Sequence, residues 1–352
     1  MNFGLSHTST SLISKNKGER KTTSPKNVVH LYDLAGITPL AGIQDYTEGI
    51  YDGDPSTPYD TAQTNQHNYL LDELGAGEGF RLLEVGCGLG TLLETAKERG
   101  VIGTGITISE DQVSKCKAKG LKVHLLNYKD LPDEFDKSFD GIIANGSLEH
   151  FCQPEEAMAG KQNSIYKHMF KIFAGVLDSD SDSQRVVTTA IHFRGEHIDP
   201  RKLLRNPFLQ IFDPENFHFS ILHRGYGGYY PIRGQLEACA SGEFTLVKEV
   251  EATEDYRFSA DHWREKLKKA ILTNVRFIGE TLRQLVKRPI HTSWVITSHV
   301  GPESWPWQFR GDNPPAMLYR HTWQRNSCRL PGNGVMQQCW SRGKEAIQIA
   351  SP

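Results

Sequence analysis

The stretch LLEVGCGLGTLLETAKERGV, residues 82–101, sets Gly86, Gly88 and Gly90 at alternate positions between an apolar run and an amphipathic one. Arg81–Val85 reads as a strand, and Thr91–Arg99 carries apolar residues at helical spacing. Thr91 with Glu94 has the T-x-x-E form of a capping box opening that helix. Glycines let the backbone turn sharply and approach a ligand closely, and a helix N-terminus offers unpaired N–H groups. A nucleotide-like ligand suits such a loop; a tight turn holding nothing is the plain alternative.

The flanking sequence keeps the same alternation. Strands are expected at Gly103–Ile108, Lys122–Leu126, Phe139–Ala144 and Arg185–His192, with helices near Glu110–Lys119 and Glu155–Val176. Strands alternating with helices mean βαβ units and a mainly parallel sheet covered on both faces. Further on, Phe244–Val250 reads as a strand and Ala260–Lys287 as one long helix. Either Thr292–His299 or Met317–Trp323 closes the sheet. Residues 193–240 are dense in aromatic residues, Gly and Pro with no clear period, as expected of a lid over a site.

The chain has 352 residues, 38% hydrophobic and 23% charged, enough for a sizeable core in one large or two modest domains. A net charge of −2 and a pI near 6.7 give no overall case for binding nucleic acid or an acidic membrane surface. The cysteines (Cys87, Cys116, Cys152, Cys239, Cys328, Cys339) are scattered without a C-x-x-C pair. That argues against a metal site and a disulfide framework, and for a reducing compartment. No run approaches the ~18 uninterrupted apolar residues of a membrane span. The N-terminus lacks the apolar core of a signal peptide, so the cytoplasm is the expected location.

A dinucleotide site needs G-x-G-x-x-G and an acidic residue about 20 positions on. Here Thr91 stands in place of the last glycine and Thr107 at the later position. The tighter E-x-G-x-G-x-G pattern of Glu84, Gly86, Gly88 and Gly90 resembles that of Rossmann-like S-adenosylmethionine-dependent methyltransferases. GITISEDQ (105–112), SFDGIIANGSLEHF (138–151) and EDYRFSADHW (254–263) narrow the match. In this order they resemble the G-x-T-x-S-x-x-Q, F-D-x-I-x-S-x-x-x-F-E-H-F and H-Y-x-x-T-L-x-x-W segments of the cyclopropane-fatty-acid synthase and mycolic-acid methyltransferase family.

The resemblance runs from about residue 80 to 270 and implies an α/β, Rossmann-like class I methyltransferase fold. An N-terminal cap would occupy 29–74, and the methyltransferase domain 75–326 with a substrate lid inserted at about 193–240. The polar ends, 1–28 and 327–352, read as a disordered segment and a flexible tail. The resemblance also implies S-adenosylmethionine as cofactor, with Glu84, Gly86 and Gly88 at its methionine end and Gly90 completing the loop. Thr107 and Gln112 would meet the ribose hydroxyls, and Tyr128 would lie against the adenine. Gln112 alternatively closes a capping box with Ser109, and Tyr128 alternatively packs in the core.

Glu149 and His150 follow the strand DGIIA (140–144) and the turn Asn145-Gly146-Ser147. Open α/β sheets bind ligands at such carboxyl ends, where a carboxylate faces the transferring methyl or orients a base. A helix-start Glu beside a satisfied His is the bland alternative. In the family this Glu helps bind bicarbonate with a Cys from an N-terminal Y-S-C, a His late in the fifth strand, and a Tyr. Tyr256 matches the Tyr. DYTEGIY (45–51) instead puts Glu48 in the Cys position, and VVTTAIHF (186–193) puts Thr189 in the His position. His192 substitutes only if the alignment shifts. A second carboxylate repels bicarbonate, so ring formation is not expected.

The family's F-P-G-G becomes RGYGGYYP (224–231). Glu48 could then act as a base or pair with a cationic substrate, and Tyr226, Tyr229 and Tyr230 either offer aromatic faces to an amine or simply pack. The expected activity is methyl transfer to a carbon or nitrogen of a small or lipophilic organic acceptor. Lipid cyclopropanation or methylation is the alternative within enzymes, and cofactor binding without turnover the alternative outside them.

Overall fold

The computed structural model describes residues 26–301 and 305–326; the expected flexible tail and the first 25 residues lie outside the described residues. Seven strands form one sheet: β1 Arg81–Val85, β2 Ile102–Thr107, β3 Val123–Leu125, β4 Gly141–Asn145, β5 Arg185–Phe193, β6 Phe244–Glu251 and β7 Ala316–Arg325. Their order is β3-β2-β1-β4-β5-β7-β6, with β7 antiparallel to both neighbours and the other pairings parallel. The closing strand therefore contains Met317–Trp323, whereas Thr292–His299 is helical. The chain runs from β1 outward to β2 and β3, then crosses back to β4 on the other side of β1. That reversal opens a crevice beyond the carboxyl ends of β1 and β4.

The helices are α1 Lys26–Ala35, α2 Tyr59–Leu74, α3 Thr91–Glu98, α4 Glu110–Ala118, α5 Leu131–Glu134, α6 Pro154–Met158 and α7 Gln162–Val176. They continue with α8 Pro200–Leu204, α9 Pro214–Tyr226, α10 Gln235–Ala240, α11 Thr253–Thr273, α12 Val275–Lys287 and α13 Pro289–Val300. Successive strand residues face opposite ways. Leu83 and Ile142 pack with Tyr166, Phe170 and Phe173 of α7, while Leu82 and Ile143 pack with Leu70 and Leu71 of α2 and Leu93 of α3. A third cluster, including Leu31, Tyr226, Tyr256, Trp263 and Val295, roofs the crevice.

Several elements depart from the sequence expectation for local reasons. Residues 26–28 open α1 rather than a disordered start, and α2 covers a sheet face while α1 covers the crevice. The helix expected over 155–176 is interrupted at Gly160, whose φ of +69° is left-handed. The one expected at 260–287 breaks at Asn274, whose side chain accepts from Phe277 N and caps α12. The 193–240 stretch contains α8, α9 and α10, and α9 starts on an Asp213 cap followed by Pro214. A second crossing of the roof, α11 to α13, lies between β6 and β7.

Candidate active site

The loop after β1 uses its three glycines differently. All have positive φ, +83° at Gly86, +52° at Gly88 and +78° at Gly90. A Cβ on Gly90 would stand 2.5 Å from Leu121 Cδ1, and one on Gly86 would stand 2.8 Å from Ser147 Cβ. A Cβ on Gly88 would meet nothing within 4 Å. Gly90 is thus required by packing behind the loop, whereas Gly88 borders open space. Gly90 also begins α3, so Thr91 does not cap it; Thr91 Oγ1 donates to Asp45 instead, and Glu94 pairs with Lys119 at 2.7 Å.

A cleft of two adjoining pockets passes the loop under α1, with Tyr32, Gly86 and Gln112 lining both. One end is lined by Asp45, Glu84, Gly86 and Gly88. The other is lined by Thr107, Gln112, Tyr128, His150 and Phe151, with Val28 and Tyr32 of α1 above. Burial pushes Glu84 well above the usual carboxylate range, Asp45 adds to the shift, and its Oε2 has no partner. For Asp45 burial acts upward too, but hydrogen bonds from His67 at 2.8 Å and from Thr91 outweigh it and hold the group low. Two facing carboxyl groups suit an ammonium ligand. Ser109 caps α4 through Gln112 N at 3.3 Å. The Gln112 side chain does not return the bond but accepts from Thr107 Oγ1 at 2.6 Å, at the cleft. Tyr128 stacks on Phe151 with centroids 4.0 Å apart, walling the far end.

Glu149 sits in the short turn Leu148–His150 that follows β4. Its Oε1 accepts from Ile191 N at 2.7 Å, and its Oε2 is buried without a partner. Burial raises its pKa to about 7; the Ile191 bond opposes this and the Glu48 charge adds to it. Its negative charge also reaches Tyr32, Tyr230 and Tyr256, whose hydroxyls burial already pushes up. Tyr226 closes this enclosure, bonded to the ring of His299 at 2.6 Å. Gly228 of RGYGGYYP lets this segment close against the Glu149 turn. A Cβ on Gly228 would stand 2.2 Å from Glu149 O, and Tyr229 N bonds that oxygen at 3.1 Å. The Tyr229 ring faces away, stacked on His197 with its hydroxyl on Ile198 O.

The other expected residues separate. His150 lines the cleft, edge-on to Tyr32, and burial lowers it to about 4. Glu48 is fully buried and paired with Arg320 of β7 at 3.1 Å. Burial raises Glu48, while Arg320 and then Gln66 oppose it. Arg320 also reaches Asp255 at 3.1 Å and Gly49 O at 3.0 Å, so Glu48 is engaged at Oε1, while its Oε2, like that of Glu149, is buried without a partner. Thr189 donates to Asn145 at 2.7 Å and accepts from Gly146 N at 2.9 Å, which fixes the turn before Glu149. His192 is not brought to the site. It lies on the opposite sheet face against Tyr319 and His321, and burial lowers it to about 3.

Sequence reasoning missed Asp45, His67, Phe151 and Arg320. Only Arg320 carried a signal, a lone charge amid the aromatic and apolar strand AMLYRHTW. Beside the cleft an apolar chamber opens among Leu31, Leu34, Leu267, Ile271, Phe277 and Val295. Ala35, Thr38 and Tyr46 line both spaces and form the partition between them.

The same architecture occurs in solved proteins. Mycolic acid cyclopropane synthase CmaA1, in a structure described as complexed with SAH and CTAB, superposes with a TM-score of 0.61 at 19% identity, covering 86% of this chain and 99% of that one. A probable fatty acid methyltransferase from Pseudomonas putida is 35% identical over 109 residues, 28% of this chain and 27% of that protein. Cyclopropane mycolic acid synthase 1 from Mycobacterium tuberculosis is 25% identical over 232 residues, 64% of this chain and 74% of that protein. The match thus spans about a quarter of the Pseudomonas protein's length. The profile described as mycolic acid cyclopropane synthetase matches residues 20–288, from α1 through the glycine loop and the Glu149 turn to the end of α12. The chain belongs to the mycolic acid cyclopropane synthetase family.

Proposed function

We propose that the chain binds S-adenosylmethionine in the glycine-loop cleft and transfers its methyl to a carbon or nitrogen of a small or lipophilic organic acceptor. The observation that carries this is the unpartnered Glu149 Oε2, buried in a tyrosine enclosure at the carboxyl end of β4. The cleft's donor set fits the cofactor: acidic groups at Glu84 and Asp45 for an ammonium, and open space at Gly88 for close approach. Thr107 and Gln112 offer polar groups for hydroxyls, and the Tyr128–Phe151 stack an aromatic face for a base. When bound, S-adenosylmethionine supplies a methyl on a sulfonium, open to in-line displacement. Glu149 removes a proton from the acceptor or orients it, the tyrosines exclude water, and Thr189 holds the turn that aims Glu149. The apolar chamber favours an acceptor with a hydrocarbon portion. The CmaA1 structure described with SAH supports the cofactor.

Methyl addition is proposed over ring closure. Ring closure needs a base at the newly transferred carbon. Glu48, engaged by Arg320, and Thr189, engaged by Asn145, stand where the family's bicarbonate ligands are expected. Cofactor fully deuterated at its methyl separates the outcomes. A methylated product keeps every deuterium, as expected here. A product lacking one, or activity dependent on added bicarbonate, contradicts this reading.

A further inference from the structure

Helix α12 is apolar on two faces. Phe277 and Thr281 face inward onto the chamber. Outward, Val275, Gly279, Leu282 and Val286 fall in one stripe by the helical period. Val275 is 82% exposed and Val286 86%. Leu272 near the end of α11 and Ile290 at the start of α13 are exposed as well. Arg276, Arg283 and Lys287 run beside the stripe, roughly a quarter-turn round the helix; Arg283 also meets Glu280 at 3.0 Å. A second set of exposed apolar residues lies against α13. Phe208, Leu209, Ile211 and Phe212 are exposed, Phe212 by 97%, and the Phe208 ring lies 6.0 Å from Trp294, one turn after Ile290.

Single exposed apolar residues are ordinary, but a stripe of them with cations along one side calls for a partner. We propose that this stripe and the 208–212 patch form a docking surface for the interfacial zone of an anionic lipid bilayer. The helix lies in the plane of the interface, its stripe among acyl chains and its cations at the headgroups. Its 13 residues extend about 20 Å along that plane. No helix among the described residues is long and apolar enough to cross a membrane. The net charge of −2 gave no hint of this surface, because the cations gather on one helix. The chamber lies directly behind α12, so a chain leaving the bilayer meets this helix first. Only this last consequence rests on the proposed function; the docking itself does not.

Flotation of the full chain with vesicles of phosphatidylglycerol and phosphatidylcholine tests the proposal, with phosphatidylcholine vesicles as control. The chain should float with the mixed vesicles, and Leu282→Asp with Val286→Asp should weaken this at least ~10-fold, from the apolar burial lost. Both positions face solvent, and an unchanged melting temperature checks the fold. Arg276→Glu with Lys287→Glu should weaken binding and flatten its salt dependence. Absence of binding, or equal binding by the Leu282/Val286 variant, overturns the proposal. So does a chain that is dimeric by light scattering and made monomeric by that pair. S-adenosylhomocysteine binding by the same variants should be unchanged, which keeps this test separate from the cofactor reading.

Discussion

Arg320→Met is expected to destabilise the fold by about 3–5 kcal/mol, the cost of leaving a buried charge without its partner. Methionine keeps much of the volume, so packing contributes little. The loss falls on Glu48, fully buried, and on Asp255, both held by the one guanidinium. Adding Glu48→Gln should recover a large part of it, because the two side chains form one unit. The pH dependence follows from burial, which already pushes Glu48 upward and is then unopposed by Arg320. With its folded pKa above the unfolded one, the penalty is full above both values and fades as pH falls into the ordinary carboxylate range. Urea unfolding of the variants across pH measures this. A variant as stable as the native chain would mean that the ion pair is not formed in solution.

Glu149→Gln should lower turnover ~10²-fold or more, the scale of a positioned base, while leaving S-adenosylhomocysteine affinity nearly unchanged. The isosteric amide keeps the acceptor for Ile191 N but removes the proton-accepting carboxylate. Since burial lifts Glu149 to about 7, native kcat/KM should rise as pH increases through that value, and the variant should lack this limb. Normal turnover with an unchanged profile would reduce Glu149 to a structural residue of its turn. Lost cofactor binding would show that it supports the cleft instead.

The parallel sheet and the loop at its switch point were legible because both are local patterns: strand, glycines, helix, repeated in order. The roles of individual residues were less so. Gly88 and Gly90 are the same residue type two positions apart, and only packing separates the glycine bordering the ligand space from the one Leu121 requires. Thr91 looked like a cap because Glu94 follows at the right spacing, but Gly90 begins the helix and Asp45 takes the hydroxyl. Glu48 could not be read as engaged, since its partner lies 272 residues away on the last strand. His192 was separable in principle. It stands an odd number of strand positions from Thr189, and a period of two sends it to the other face. The roof was the hardest to read, because α1, α9 and α11 to α13 come from three distant stretches that meet only over the crevice.

Isothermal titration with S-adenosylhomocysteine tests the central claim most directly, using the native chain, Gly88→Asn and Glu149→Gln. Asparagine tolerates the left-handed backbone of Gly88, where a Cβ meets no protein atom, so the variant should fold while its side chain fills the cleft. The native chain and Glu149→Gln should bind one equivalent with similar affinity, Gly88→Asn should not bind, and NAD should give no heat with any of them. Absence of binding by the native chain, or equal binding by a folded Gly88→Asn, would contradict the account.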